Sequence, residues 1–389
     1  MANKHKKDFN VGKSLPNLLD EANKQPEVKD RPVVTPKQPF SWKRSLGYGL
    51  LALLIIFVAG AAWVSWKFEQ NCAKVFDDCS LFSLFNNSPL KGEDTGRINI
   101  LLAGYSVDDP GHSGAQLTDS IMLVSLNTRQ HTGYMLSIPR DFYVNIPGHD
   151  HSKINAAYEY GQQDNFSEDG YPSGGMGLLE KVVSTNFGVS INYYGLVNYA
   201  AMRDAVNAVG GIDVTINSPD GKLYDPNKDW GTNGPLVDLT NGTHHLDGRE
   251  ALDLARARGD SSPYGYSVGF EKSDYQRTED QRMELTSLKT KASSAGVLIN
   301  PIKLSDLLDA VGNNIKTDFQ SKNIHRLAGI VRKIPNSQLK SVGLNDIDGH
   351  GKNLLASYSS YSSGSAIIPA AGIDDFSDIQ SYITQLNQQ

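Results

Sequence analysis

Hydrophobic and polar positions divide this chain into a polar head, one uninterrupted apolar run and a long mixed remainder. Residues 1–41 are polar and broken by Pro16, Pro26, Pro32, Pro36 and Pro39, which predicts a disordered tail. Residues 46–66 carry no charge and would span roughly 30 Å as a helix. Beyond a spacer, residues 97–105, 120–126 and 133–138 read as strands, the last two joined by a turn at 127–132. Residues 141–146 read as a short strand or loop. Helices are expected from about Asn155, over 175–187 and over 199–209, where Gly210-Gly211 ends the last one before a strand at 212–216. A loop-rich stretch, 217–240, follows. Leu246, Ala251, Leu252 and Ala255 recur at helical spacing and carry a helix to Arg256. Residues 259–270 read as a mobile flap and 274–293 as a long helix. Further helices are expected at 304–311, 324–334 and 373–386, the last capped by Asp374 or Asp375. The Ser/Tyr/Gly run 357–365 reads as a loop. Strands alternating with helices predict a layered α/β fold, and the antiparallel start points to a mixed sheet.

Charge orients this arrangement. The chain carries −6 overall and its first 44 residues carry +5, so the remainder carries −11. The excess of basic residues lies on the N-terminal side of the apolar run, which places the N-terminus in the cytoplasm and the main domain outside the cell. Trp42 fits the inner interface, and Trp63 and Trp66 the outer one. The flank exceeds forty residues, too long for a signal-peptide n-region, so the run is expected to be an uncleaved anchor. The expected organisation is a disordered cytoplasmic tail (1–44), a transmembrane helix (45–66), a spacer (67–95), a catalytic domain (96–295) and a C-terminal extension (296–389) that packs on the domain or continues it. An acidic outer portion argues against nucleic acid as a partner. Cys72 and Cys79 are the only cysteines; they would form a disulfide or serve as structural or free thiols, and thiol catalysis in the main domain is excluded.

The residues that suit chemistry fall in a few places. Arg256 and Arg258 are two apart, so they converge only if the helix ends there and the chain extends. Asp274, Arg277 and Gln281 follow at i, i+3 and i+7 on one side of the next helix. Three guanidinium forks and a carboxylate at one cleft would suit a diphosphate; the alternative is a set of surface salt bridges at helix ends. Asp119 enters one strand and Arg140-Asp141 leaves its hairpin neighbour, so the three should share a sheet edge, as a site or as a structural ion pair. Lys153 and Asn155 precede a helix, where Asn155 is either an N-cap or part of a phosphate contact. The carboxylates suit Mg²⁺. His149, His151 and the His244-His245 pair lack further ligands at zinc spacing. No Walker loop, dinucleotide fingerprint or nucleophile elbow occurs.

Taken in order, L-L-A-G (101–104), L-T-D-S-I-M-L-V-S (117–125), S-I-P-R-D-F-Y-V (137–144), K-I-N-A-A-Y (153–158), A-V-G-G-I-D-V (208–214), L-D-G-R-E-A-L-D-L-A-R-A-R (246–258) and D-Y-Q-R-T-E-D-Q (274–281) resemble the LytR–CpsA–Psr family of membrane-anchored envelope proteins. The resemblance covers roughly residues 96–295. It implies a three-layer α/β/α domain with a central mixed sheet behind a single transmembrane helix. It also implies an apolar pocket for a polyprenyl chain, and Mg²⁺- (or Mn²⁺-) assisted transfer of a polyprenyl-diphosphate-linked glycopolymer to a peptidoglycan sugar hydroxyl. By motif, Asp119 would be metal ligand or base, Arg140, Arg256, Arg258 and Arg277 would bind the phosphates, and Asp274 would be the acidic residue beside them. Asp141 would be an alternative base. Lys153, Asn155 and Gln281 would be supporting contacts.

Three departures stand out. Leu117 occupies the place of a usual arginine. Tyr105-Ser106 replaces a usual aspartate, for which Asp108 or Asp109 would substitute as metal ligand. The usual R-Q-Q ending is Asp280-Gln281-Arg282, in which Arg282 would offset a lost charge. Two other functions share these residues: hydrolysis of a polyprenyl diphosphate by water, and a non-catalytic lipid-carrier or envelope-binding protein.

Overall fold

The computed structural model describes residues 42–389 apart from 77, 109–113, 115, 229–233, 260–261, 271–272, 298–299, 346–352 and 361–363. The described residues divide into two units between Phe57 and Val58. Helix α1, Trp42–Cys72, is the one helix among the described residues long and apolar enough to cross a membrane. Leu53 to Val58 leave more than half of their surface exposed, as lipid-facing side chains must. It is a single-pass anchor, and the main domain is extracellular.

The helix runs past the expected end at residue 66. Phe68 and Cys72 are fully buried against Leu304 and Leu308 of a later helix, and Asn71 Nδ2 donates to Ser305 Oγ at 3.1 Å. Cys72 is disulfide-bonded to Cys79. The first turns of the expected spacer are thus packed on the domain, and the Phe-rich run forms a 3₁₀ turn, Leu81–Phe85, with Phe82 and Phe85 exposed.

The centre of the domain is a six-stranded mixed sheet. Strands β1 (Arg97–Tyr105), β2 (Thr118–Asn127) and β3 (Thr132–Ile138) are antiparallel neighbours. β6 (Tyr193–Val197) joins β1 in parallel, with β4 (Tyr143–Asn145) and β5 (His151–Lys153) forming a side hairpin between them in sequence. The C-terminal segment supplies both edges: β11 (Ile315–Thr317) pairs with β6 and β12 (Leu339–Val342) with β3. Leu101, Ala103, Ile121, Leu123, Leu136 and Ile138 point to one face and pack with helices Ala157–Gln163, Gly175–Phe187 and Ser377–Gln388. Side chains of opposite parity, among them Ile100 and Leu126, pack with helix Ile324–Lys333. Period-two alternation with both faces covered gives the α/β/α layers. A second core gathers helix Tyr199–Ala208, strands β7 (Ile212–Ile216), β8 (Lys222–Asp225), β9 (Val237–Thr240) and β10 (Gly242–Leu246), and helix Gly248–Arg256.

Several expectations are corrected. The described residues of the Ser/Tyr/Gly run are paired rather than loop: β13 (Leu355–Ser360) lies antiparallel to β14 (Gly364–Pro369), and Ile367 bridges to Phe142. The terminal helix begins at Ser377, not 373, and Asp375 caps the preceding turn by accepting from Ser377 N and Oγ. The segment expected as a flap is anchored at its C-terminal end, where Tyr224 and Val268 exchange two backbone hydrogen bonds of 2.9 Å and Phe270 is buried in the second core, while Tyr264 and Tyr266 are exposed.

Candidate active site

Register brings the first pair together. Ile121 pairs with Ile138, so Asp119 lies two residues before one and Arg140 two beyond the other, at one end of the sheet. Arg140 Nη1 donates to Asp119 Oδ1 at 2.5 Å. Asp141 Oδ1 accepts from Lys153 Nζ at 2.7 Å, since Tyr143 pairs with Lys153 in the side hairpin. Asn155 caps no helix: it sits inside a 3₁₀ turn, Ile154–Ala156, whose N-cap is Lys153. Its backbone N–H donates to Arg140 O and its carbonyl accepts from Thr118 Oγ1, so it pins the chain behind the ion pair. Neither Lys153 nor Asn155 lines either cavity described below.

Helix Gly248–Arg256 delivers the next two arginines. Asp247 and Glu250 form a reciprocal capping box. Gly248 is required because a Cβ there would lie 2.0 Å from Arg203 O of the neighbouring helix. The helix stops at Arg256, and Ala257 is extended, with φ −62° and ψ 134°. Asp225 Oδ2 holds that exit, accepting from the backbone N–H groups of Arg258 (3.3 Å) and Gly259 (3.1 Å). Arg256 and Arg258 consequently face the same cavity. The Arg256 guanidinium lies 4.9 Å from the Tyr199 ring centroid, a cation–π distance.

Asp274, first residue of helix Asp274–Ser294, is the hub. Its Oδ2 lies 3.4 Å from Arg140 Nε, and its Oδ1 lies 3.6 Å from Arg258 Nη1 and 3.3 Å from Arg277 Nη2. These distances exceed good hydrogen bonds. Arg140 Nε, Asp274 Oδ1 and Arg277 Nε are buried yet make no hydrogen bond. Burial lowers the Arg140 pKa, but the Asp274 and Asp119 charges outweigh it and the guanidinium is held above its ordinary value. For Arg277 burial wins, and Arg140 and Arg258 add like-charge repulsion, so its pKa is pushed down. Arg140, Arg256, Arg258 and Arg277 outnumber Asp119, Asp141 and Asp274 here, and the surplus positive charge is what an oxyanion would neutralise.

Two cavities meet at this cluster. The larger, about 390 Å³, is lined by Leu102, Met122, Leu252, Leu285 and Leu288, with Arg256 and Arg258. The smaller, about 190 Å³, has Asp141, Asp274, Tyr275 and Asn345 in its wall. Asp119, Ser120, Arg140 and Arg277 face both.

Gln281 lines the larger cavity as a strut, accepting from Ser120 Oγ and donating to Ala255 O. Asp108 accepts from the N–H groups of Tyr199 and Ala200 at a helix N-terminus. Asp109 lies outside the described residues. Arg282 does not offset the missing arginine: its guanidinium is buried and donates to Ser137 and Ser341, clamping the helix to β3 and β12. Leu117 packs against the core. Sequence reasoning missed Glu284. It is fully buried in the larger cavity's wall, neither carboxylate oxygen makes a hydrogen bond, and burial, reinforced by Asp280, pushes its pKa well above the usual range. Its spacing from Arg277, i+7 on one helix face, was the available signal.

The model of the LytR_cpsA_psr family matches residues 69–366. The polyisoprenyl-teichoic acid–peptidoglycan teichoic acid transferase TagU of Oceanobacillus iheyensis is 28% identical over 325 residues, covering 82% of this chain and 88% of that protein. The enzyme named TagT in Bacillus subtilis, with the same transferase description, is 30% identical over 279 residues, covering 71% and 77%. A solved structure described as TagT bound to LIIa-WTA superposes with a TM-score of 0.54 at 25% identity, over 75% of this chain and 90% of that one. The ordered motifs, the mixed sheet and a match over most of the length agree: the chain belongs to the LytR–CpsA–Psr family.

Proposed function

We propose that the protein transfers a polyprenyl-diphosphate-linked glycopolymer to a sugar hydroxyl of peptidoglycan. The observation that carries this reading is the arginine cluster at the mouth of an apolar cavity. Arg140, Arg258 and Arg277 surround Asp274, and Arg256 faces the same space. A polyprenyl diphosphate has the matching halves, a hydrocarbon chain and two phosphates. The relatives named for teichoic acid transfer support the same reaction class.

In this reaction the acceptor oxygen forms a bond to the phosphorus that bears the glycan. The bond from that phosphorus to the bridging oxygen breaks, and its electron pair leaves with polyprenyl phosphate. The hydroxyl proton passes to a carboxylate, Asp141 or Asp119. Arg140, Arg258 and Arg277 neutralise charge growing on the phosphoryl and bridging oxygens, and no external nucleotide is needed. The membrane anchor keeps enzyme and donor in one plane.

The residues also fit a divalent cation. Among the described residues no group of three His, Cys, Asp or Glu side chains is placed to hold a metal. Mg²⁺ bound through one or two carboxylates plus substrate phosphates needs no such group. Asp119 and Asp274 flank Arg140, and the buried Asp274 Oδ1 makes no hydrogen bond. These two would hold Mg²⁺ or Mn²⁺, which supplies further charge neutralisation on the phosphoryl oxygens. Asp108, committed to a helix N-terminus, is left out of this set.

The test is product analysis with the detergent-solubilised full chain, lipid-linked glycan and peptidoglycan. Glycan joined to peptidoglycan, with polyprenyl phosphate released, supports transfer. Release of free glycan phosphate irrespective of peptidoglycan would establish hydrolysis, and binding without turnover a carrier-binding protein.

A further inference from the structure

The smaller cavity is built against the same guanidinium cluster as the apolar one, but lacks its leucine-rich wall. We propose that it is the acceptor-sugar subsite, completed by the C-terminal segment, an inference that rests on the transferase reading above.

Reaction geometry favours this position. Displacement at phosphorus is roughly in line, so the attacking hydroxyl arrives opposite the leaving polyprenyl phosphate. Asp119, Ser120, Arg140 and Arg277 form the partition, with the apolar cavity on one side and the smaller cavity on the other. Arg277 is 7% exposed, lines both spaces, and its Nε makes no hydrogen bond within the protein. Ser273, at the rim, holds φ 48° without being glycine. Strain of that kind concentrates at ligand-binding positions.

The lining suits a pyranose. Asp141, Tyr275, Thr278 and Asn345 offer hydroxyl, amide and carboxylate partners, and Ile367 gives one apolar wall for a ring face. Burial raises the Tyr275 pKa, with Asp274 adding to it, so the phenol stays protonated and able to donate. Two of these residues come from far along the chain. Asn345 follows β12. Ile367 belongs to β14, whose backbone N–H donates to Asp141 O at 3.0 Å. Tyr358 of the same hairpin stacks on Tyr143 at 5.1 Å. The hairpin is thus fastened to the segment that carries Arg140 and Asp141. A sugar seated here presents its hydroxyl to the partition; oxygen–phosphorus bond formation expels polyprenyl phosphate on the far side, and the proton passes to Asp141.

Two substitutions probe the cavity without touching the partition. Asn345→Ala removes a polar partner. Gly343→Ala places a Cβ 2.7 Å from Asn345 Oδ1, which displaces that flexible side chain and little else. The assay uses the solubilised full chain with soluble uncross-linked peptidoglycan strands as acceptor, read both as acceptor KM and as direct binding by calorimetry. The expected result is an acceptor KM and Kd raised about tenfold in each variant, with the Kd for polyprenyl diphosphate unaltered. Wild-type acceptor affinity in both variants would overturn the subsite while leaving the transferase reading intact. Acceptor that neither binds nor is glycosylated by the wild-type protein would overturn both.

Discussion

Replacing Glu284 by leucine is expected to stabilise the protein and tighten its hold on lipid. Glu284 is fully buried beside Leu285 and Leu288, with both carboxylate oxygens lacking hydrogen bonds. An unmet buried polar group costs about 1–3 kcal/mol. Leucine of similar size removes that cost and extends the apolar wall. The folded-state pKa is raised by burial and then by Asp280, so the proton is bound more tightly in the folded state than in the unfolded. The group therefore costs least below the unfolded carboxyl pKa, and stability falls as pH rises above it. Urea unfolding of the solubilised full chain at pH 5 and pH 8 should show Glu284→Leu more stable by about 1–3 kcal/mol at the lower pH, and by more at the higher. Glu284→Gln should flatten the pH slope without the apolar gain. Titration with fluorescent polyprenyl phosphate should give Leu a Kd about five- to tenfold lower, roughly 1–1.4 kcal/mol. A leucine variant less stable than wild type at both pH values, with weaker lipid binding, would refute the reasoning. Glu284 would then be paired in a way the free protein does not display.

Other consequences follow from the same structure. Arg258→Ala should lower transfer by at least about tenfold to a hundredfold, the worth of one or two charge-assisted contacts, with an unchanged urea midpoint; full activity would remove Arg258 from the site. Glu180 is buried near Asp318, and burial followed by that charge pushes its pKa up to about 8 from 4.5. Stability should accordingly fall as pH rises from about 4.5 to about 8, by up to roughly 4–5 kcal/mol at 1.36 kcal/mol per unit. Glu180→Gln should remove that slope, and denaturant titrations across the range check it. Opening the Cys72–Cys79 loop by a double serine substitution should cost about 2.5 kcal/mol in the loop-entropy account. Limited proteolysis after residue 72 should then speed up, and identical digestion rates would count against the packed stem.

The central strands were legible because alternation there is enforced from both sides: Leu101 and Ala103 face one helix layer, and Ile100 faces the other. The meeting of Asp119 with Arg140 followed from hairpin register alone. The helix end that lets Arg256 and Arg258 converge was legible from a different signal, the Gly259 and Pro263 that follow it. What failed depended on distant partners. Composition reads 357–365 as soft, but the strands that enter it, Leu355–Ser360 and Gly364–Pro369, pair with each other and touch Phe142 and Tyr143. Arg282 looks like a spare site cation until Ser137 and Ser341 are seen to hold it. The hydrogen bonds that Asp108 accepts from Tyr199 and Ala200 likewise come from a helix distant in sequence. The edge strands β11 and β12 are too short, at three and four residues, to announce themselves by periodicity.

The most direct test of the account is photo-crosslinking of the full chain with a polyprenyl diphosphate carrying a photoreactive group in its hydrocarbon. Saturable labelling at Leu102, Met122, Leu252, Leu285 or Leu288, competed by unlabelled polyprenyl diphosphate and weakened by Arg258→Ala, is the predicted result. Labelling confined to other surfaces, or indifferent to Arg258, would contradict it.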